Sequence, residues 1–247
     1  MTRYLLQIFA CVACSMGVLM GGCATAPSFD ARTAAQNIVA NPIRTDQDRK
    51  TDVARKPVDF LAFAQVAPGM RALDVSAGGG YTTQLLALAV GPSGIVYAQT
   101  PRPGEALTKR LADHPQPNIV LVTRGFEDPV PEDAPKLDVV TLVLNYHDIS
   151  YLPVDRAKMN ARIFAALKPG GRYVIVDHSA RAGTGISEGK TLHRIDEAVV
   201  RDEVRKAGFV LDAEGDFLRN PADTRDDSSG QPRVPTDKFV LRFVKPA

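Results

Sequence analysis

No cysteine follows Cys23 in this 247-residue chain, and Cys11 and Cys14 stand inside an apolar N-terminal run. Once that run is removed no intrachain disulfide can form, and zinc binding through cysteine is excluded as well. A surplus of charge is also missing: 30 Lys plus Arg oppose 28 Asp plus Glu, a net +2, with no long basic block. Nucleic-acid binding through phosphate neutralisation has no support in that balance, so small molecules are the better default partners. Beyond residue 22 there is no apolar run fit to engage a membrane, and there is no internal repeat. What the chain does have is 45% apolar residues against 23% charged. That excludes a disordered or fibrous protein and leaves room for one sizeable α/β domain.

The stretch Tyr4 to Gly22 carries no charge, follows Arg3, and leads into Leu19-Met20-Gly21-Gly22-Cys23. It has the form of an export signal. Its end resembles the lipobox of bacterial lipoproteins, with Met20 where leucine is usual. The resemblance implies cleavage before Cys23, lipid on that cysteine, and a lipid-anchored protein on the periplasmic side of a bacterial membrane. An uncleaved anchor facing the cytoplasm is the alternative. The expected organisation is a signal over 1–22, a polar tether over 23–45 and a folded domain over 46–247.

Within that domain short β-branched runs alternate with helical patterns, the signature of a parallel sheet covered by helices on both faces. Asp46 to Val66 reads as helix with a break at Pro57, stopped by Pro68-Gly69. Strands are expected at Arg71–Ser76, Gly94–Gln99, Ile119–Thr123, Leu137–Leu144, Tyr173–Asp177, Phe209–Ala213 and Lys238–Val244. Helices are expected over Thr82–Val90, Glu105–Asp113, Pro153–Leu167 and Asp196–Ala207. Leu137 to Leu144 is nearly all apolar, as a central strand buried on both faces must be. The fold class is therefore α/β: a Rossmann-like, seven-stranded, mostly parallel sheet. The polar stretch 216–236 reads as a lid or a solvated loop, with Phe217, Leu218 and Arg219 as its notable residues.

A glycine bend after a first strand lets main chain approach a ligand closely and aims N–H groups at anionic parts of it. A dinucleotide site wants G-x-G-x-x-G, but Gly78-Gly79-Gly80-Tyr81-Thr82-Thr83 has Thr83 where the third glycine belongs. The acid here is Asp74, just before the bend. The segment Asp74-Val75-Ser76-Ala77-Gly78-Gly79-Gly80 resembles the D-x-G-x-G-x-G segment of class I S-adenosylmethionine-dependent methyltransferases, departing at Ser76. Pro68-Gly69-Met70 and Leu167-Lys168-Pro169-Gly170-Gly171 before strands are similar to that family too. Asn145-Tyr146-His147-Asp148, Val176-Asp177-His178 and Leu192-His193-Arg194-Ile195-Asp196 resemble a bacterial group of predicted methyltransferases that includes lipoproteins.

The resemblance implies S-adenosylmethionine as cofactor, with Gly78 and Gly80 along its methionine moiety and Asp74 fixing the bend and holding the amino group. It places Gln99 where the family has an acid for the ribose, Glu127 beside adenine, and Asn145 at the cofactor's edge. The activity implied is methyl transfer to a small molecule, and export sets that against a methyl donor made in the cytoplasm. The alternative is a ligand-binding lipoprotein without turnover on a degenerate methyltransferase fold, with Ser76 and Gln99 as its traces.

Chemistry is expected outside the C-terminal strand ends, where Asn145 to Asp148 stand. His147 is the candidate base, since an unperturbed imidazole titrates near a pKa of about 6.5. Asp148 orients it, and Asn145 completes the catalytic set. Tyr146, His178, His193 and Arg194 are candidate substrate contacts, Arg194 as a planar grip on a carboxylate or phosphate. Three histidines near acids are also metal donors by type, but no spacing such as H-E-x-x-H supports a site, so none is assigned.

Overall fold

A computed structural model describes residues 30–247 of the protein. The apolar run 4–22 and Cys23 lie outside the described residues. Asp30 caps α1 (Ala31–Val39) through its carboxylate, which accepts the Arg32 and Thr33 N–H groups. A capping box of Thr45 and Asp48 starts α2 (Asp46–Arg55). Lys56, in left-handed backbone at φ 43°, turns the chain into α3 (Pro57–Ala64), whose first residue is the expected proline break. Helix α1 packs on α3, with Ala35 buried. Residues 31–39 therefore belong to the fold, and the domain begins before residue 46.

Strand and helix then alternate: β1 (Arg71–Val75), α4 (Tyr81–Val90), β2 (Ile95–Thr100), α5 (Glu105–Asp113), β3 (Ile119–Thr123) and β4 (Leu137–Val143). After β4 come α6 (Tyr146–Ser150), α7 (Arg156–Ala166), β5 (Leu167–His178), α8 (Gly189–Leu192), α9 (Glu197–Lys206), β6 (Val210–Gly215) and β7 (Lys238–Val244). The seven strands lie in the order β3-β2-β1-β4-β5-β7-β6. Pairing is parallel from β3 to β5, and β7 inserts antiparallel between β5 and β6.

Alternation along the strands divides the core in two. Leu73, Val140, Leu142 and Ile175 pack with Met159 and Ile163 of α7 and with Val200 and Val204 of α9. Ala72, Val139, Val174 and Val176 pack with Phe60 of α3 and with Leu85 and Val90 of α4. Each such burial contributes about 1.5–3 kcal/mol. Two expectations shift. Helix α7 starts at Arg156 because the Asp155 carboxylate caps the Lys158 N–H at 2.9 Å. Asn145 to Asp148, expected as a strand-end loop, leads into the short helix α6. Among the described residues no helix is long and apolar enough to cross a membrane.

The topology fixes where a ligand can sit. Strand order reverses between β1 and β4, so their following segments diverge and open a crevice outside the carboxyl ends.

Candidate active site

Two residues with side chains adopt left-handed backbone where β1 and β4 end: Ser76 at φ 60° and Leu144 at φ 55°. Such conformations cost of order 1–3 kcal/mol and persist where the surroundings over-determine them. Beyond Ser76 the glycines divide the work. A Cβ on Gly78 would meet nothing nearer than Ser76 O at 3.9 Å, so bare main chain is open there. A Cβ on Gly80 would stand 2.9 Å from Arg110 and Leu107 of α5, so this glycine serves helix packing. Arg110 also donates to the Gly79 carbonyl at 2.8 Å and is paired with Asp48 at 2.7 Å.

Asp74 is buried in β1 and accepts the hydroxyls of Thr83 at 2.6 Å and Thr141 at 3.0 Å. Burial raises its pKa to about 6, against the pull of those two hydrogen bonds. It ties β1 to α4 and β4 beneath the bend. Gln99 is fully buried: its Oε1 accepts the Ser76 N–H at 3.0 Å and its Nε2 donates to the Arg124 carbonyl at 2.6 Å. It stitches the ends of β1 and β3 together, with both amide atoms engaged by main chain. Glu127 turns to α7, accepting the Asp155 N–H at 3.1 Å and pairing with Lys158 at 3.6 Å, away from the crevice.

The expected substrate contacts also separate. Tyr146 has no exposure: its hydroxyl donates to Glu203 at 2.7 Å and accepts from Asn160 at 2.8 Å, on the core side of α6. Tyr146→Phe is expected to lower stability by about 1–2 kcal/mol, since it strips a partner from Asn160, while ligand binding stays unchanged. A urea melt beside a binding titration checks both. Arg194 is equally buried, and its guanidinium grips Asp223 at 2.8 Å and the carbonyls of Ser179 and Asp227. It latches the 216–237 segment, with all three guanidinium nitrogens engaged inside the fold.

His147, Asp148, His178 and His193 do converge. The buried Asp177 carboxylate contacts His147 Nδ1 at 2.6 Å and accepts the backbone N–H groups of His147 at 2.8 Å and His178 at 2.7 Å. Asp148 Oδ1 lies 3.3 Å from His147 Nε2 and 2.9 Å from His193 Nδ1. Asn145 Nδ2 donates to Asp148 Oδ2 at 3.2 Å, and the Tyr151 hydroxyl to Oδ1 at 3.1 Å. The His178 and His193 rings stand edge-on to His147, with centroids 5.7 and 5.6 Å away. Burial alone would push the His147 pKa down, but the Asp148 and Asp177 carboxylates lift it to about 9. As placed, the imidazole is charged at neutral pH and is not the free base its ordinary titration suggests. His178 moves the other way, held neutral by burial and by the nearby Lys238 charge.

Beside His178 a cavity of about 670 Å³ opens between Arg55, Leu144, Phe217, Leu218 and Lys238. Leu218 is buried and Phe217 meets the Phe63 ring edge-on at 6.0 Å, so the 216–237 segment forms a fixed wall. Arg55 and Lys238 were not singled out in the sequence. Burial lowers the pKa of Arg55, opposed by attraction to Tyr81, Asp177 and Asp74. Burial and the Arg55 charge lower Lys238 to about 8. Two desolvated cations on one wall favour an anionic group on whatever binds.

No protein-family model matches the chain. It is 30% identical over 123 residues to the ubiquinone/menaquinone biosynthesis C-methyltransferase UbiE of Burkholderia multivorans. That stretch is 48% of this chain and 47% of the other, so the match spans about half the length of that curated relative. Among solved structures, a SAM-dependent methyltransferase from Aquifex aeolicus aligns with TM-score 0.55 and 17% identity, over 88% of this chain and 99% of that one. A TehB-like SAM-dependent methyltransferase from Corynebacterium glutamicum aligns with TM-score 0.52 and 18% identity, over 81% and 95%. A SAM-dependent O-methyltransferase from Thermotoga maritima aligns with TM-score 0.50 and 18% identity, over 88% and 72%. The fold is the Rossmann-like fold of class I methyltransferases.

Proposed function

We propose that this protein transfers a methyl group from S-adenosylmethionine to a small, anionic acceptor docked in the cavity beside His178. The observation that carries the proposal is the pair of left-handed residues, Ser76 and Leu144, at the switch point, with the open backbone of Gly78 two residues on. Strain kept at that edge is expected where a ligand is gripped. Methyltransferases of the same fold and the partial C-methyltransferase match support the chemistry.

The residues fit the methionine half of the cofactor better than its nucleoside half. Gly78 leaves main chain bare for close approach. At the end of β2, however, Gln99 is spent on Ser76 and Arg124, and no acid follows before Glu105. Ribose hydroxyls there lack the charge-assisted partner that would make their hydrogen bonds roughly twice as strong. When bound, the cofactor supplies a methyl group activated on a sulfonium. The chain's own part is positioning: Arg55 and Lys238 for an acceptor carboxylate or phosphate, Phe217 and Leu218 for its apolar body.

Calorimetric titration with S-adenosylmethionine and with its demethylated product tests this directly. Saturable binding of both, with label passing from the methyl-labelled cofactor into anionic extract components, is the expected result. No binding at millimolar cofactor overturns it, and binding without transfer leaves a ligand-binding protein in place of the enzyme. The two glycines give a sharper contrast. Gly78→Ala, strained only by its φ of 54°, is expected to weaken cofactor binding at least about tenfold at a stability cost of about 1–2 kcal/mol, whereas Gly80→Ala, at φ 80° and clashing with α5, is expected to lower stability by about 2–4 kcal/mol. Parallel binding and melting curves separate the effects.

A further inference from the structure

We propose that His147, Asp148 and His193 form a site for one divalent transition-metal ion, zinc in the first instance, with a coordination position left open. The three donors already stand within 4.8 Å of one another. Asp148 Oδ1 is 3.3 Å from His147 Nε2 and 2.9 Å from His193 Nδ1. Bonds of about 2.0–2.2 Å to one ion put neighbouring ligand atoms about 3 Å apart, so little rearrangement separates these contacts from a coordination sphere.

Each donor is held from behind. Asp177, fully buried, contacts Nδ1 of His147 at 2.6 Å and anchors its main chain at 2.8 Å, which turns Nε2 toward Asp148, where a bound metal ion takes the place of its proton. A carboxylate on the far nitrogen of a ligating imidazole is the usual second-layer support of a metal site, setting the tautomer and raising basicity. Asp148 is oriented by Asn145 and Tyr151. His193 is the left-handed C-cap of α8, at φ 52°, and from that helix end its ring reaches Asp148. Residues 147–148 and 193 come from segments 45 positions apart in the chain. Two imidazoles and one carboxylate, with no thiolate, suit zinc or iron(II) over magnesium or calcium.

Three donors leave a coordination position beyond them, and His178, whose ring centroid is 5.7 Å from that of His147, connects the cluster to the cavity in which the acceptor is proposed to dock. Resting on the methyl-transfer proposal, the role follows from Lewis acidity. An acceptor hydroxyl that coordinates the ion releases its proton to water. Its oxygen then bonds to the methyl carbon as the carbon–sulfur bond breaks, and that electron pair stays on sulfur as a neutral thioether. The binding site itself does not depend on this role.

The test uses the untagged full chain, stripped with chelator and titrated with zinc chloride in the absence of cofactor. One zinc per chain at micromolar affinity or tighter is expected, with a rise in melting temperature. His193→Ala, a half-exposed position, and Asp148→Asn are each expected to lower affinity at least a hundredfold. Asp177→Asn is expected to lower it ten- to a hundredfold through His147. Cobalt substitution provides a second readout, a visible ligand-field spectrum that His193→Ala abolishes. No stoichiometric zinc, or equal affinity in the wild type and the His193 and Asp148 variants, overturns the site. Histidine-dependent zinc binding in a protein that ignores S-adenosylmethionine keeps the metal site and removes only the transferase role.

Discussion

Arg194→Met is expected to cost about 3–5 kcal/mol of folding stability, the range for breaking a buried ion pair by removing one partner. Arg194 has no exposure and its partner Asp223 is also buried. The guanidinium donates to both Asp223 oxygens, at 2.8 and 3.2 Å, and to the carbonyls of Ser179 and Asp227 at 3.0 and 2.8 Å. Met fills similar volume but leaves a carboxylate without its counter-charge. Asp223 still accepts the Asp237 N–H at 2.6 Å and the Arg225 N–H at 3.0 Å, so part of its satisfaction survives. Adding Asp223→Asn to Arg194→Met should therefore return about half of the loss by removing the orphaned charge. Urea melts of the single and double variants measure this. The consequence for function is local: amide exchange across 216–237 should accelerate, because Arg194 is the buried tie between that wall and Ser179 at the end of β5, beside the part-buried contacts of Arg219 and Arg225. A loss below about 1 kcal/mol would mean that the wall is held by other contacts.

Why Arg194 reads as a substrate grip in the sequence, and as a latch in the structure, shows where sequence patterns stop. Strands were legible because burial on both faces demands apolar runs, as in Leu137 to Leu144, and the Pro57 break was legible because proline has no N–H to give a continuing helix. The crevice followed from strand order. Side-chain direction did not. Tyr146 and His147 are neighbours, but on a helix adjacent residues diverge by about 100°, so α6 sends Tyr146 to Glu203 and His147 to Asp177. A strand-end reading of the same four residues carries no such instruction. Gln99 stands at the expected strand end, yet its amide is short enough to be consumed by main chain on both sides. Arg55 and Lys238 carry no sequence signal because they are single cations, distant in sequence, whose joint desolvation exists only after α2 and β7 meet at the cavity. The His147, Asp148 and His193 cluster was legible as residue types and illegible as a site, since no fixed spacing links position 148 to 193.

Lowering the pH from 7 to 4 is expected to stabilise the wild type relative to Asp74→Asn by about 2–2.5 kcal/mol, most of the full difference. Asp74 has a folded pKa near 6 against an ordinary value of 3.8. At about 1.4 kcal/mol per unit, the difference amounts to about 3 kcal/mol. The sign follows from which state binds the proton more tightly. Below 3.8 both folded and unfolded chains carry it, and the contribution is fully present. Between 3.8 and 6 the unfolded chain has lost the proton while the native one keeps it, so stability falls as pH rises. Above 6 both are ionised and the penalty of a buried charge is complete. Asp48 and Asp148, both held down to about 2, work in the opposite sense at lower pH. They are present in both proteins and cancel in the comparison. Asparagine never ionises; its single oxygen serves one of the two hydroxyls, which Asp74 accepts on separate oxygens, and its amide group donates to the other, a pH-independent change, so the pH dependence of the difference in unfolding free energy between variant and wild type isolates this one carboxyl. Parallel curves from pH 4 to 7 would refute the assignment. A converging pair would show that the sheet carries a desolvated charge directly beneath its glycine bend.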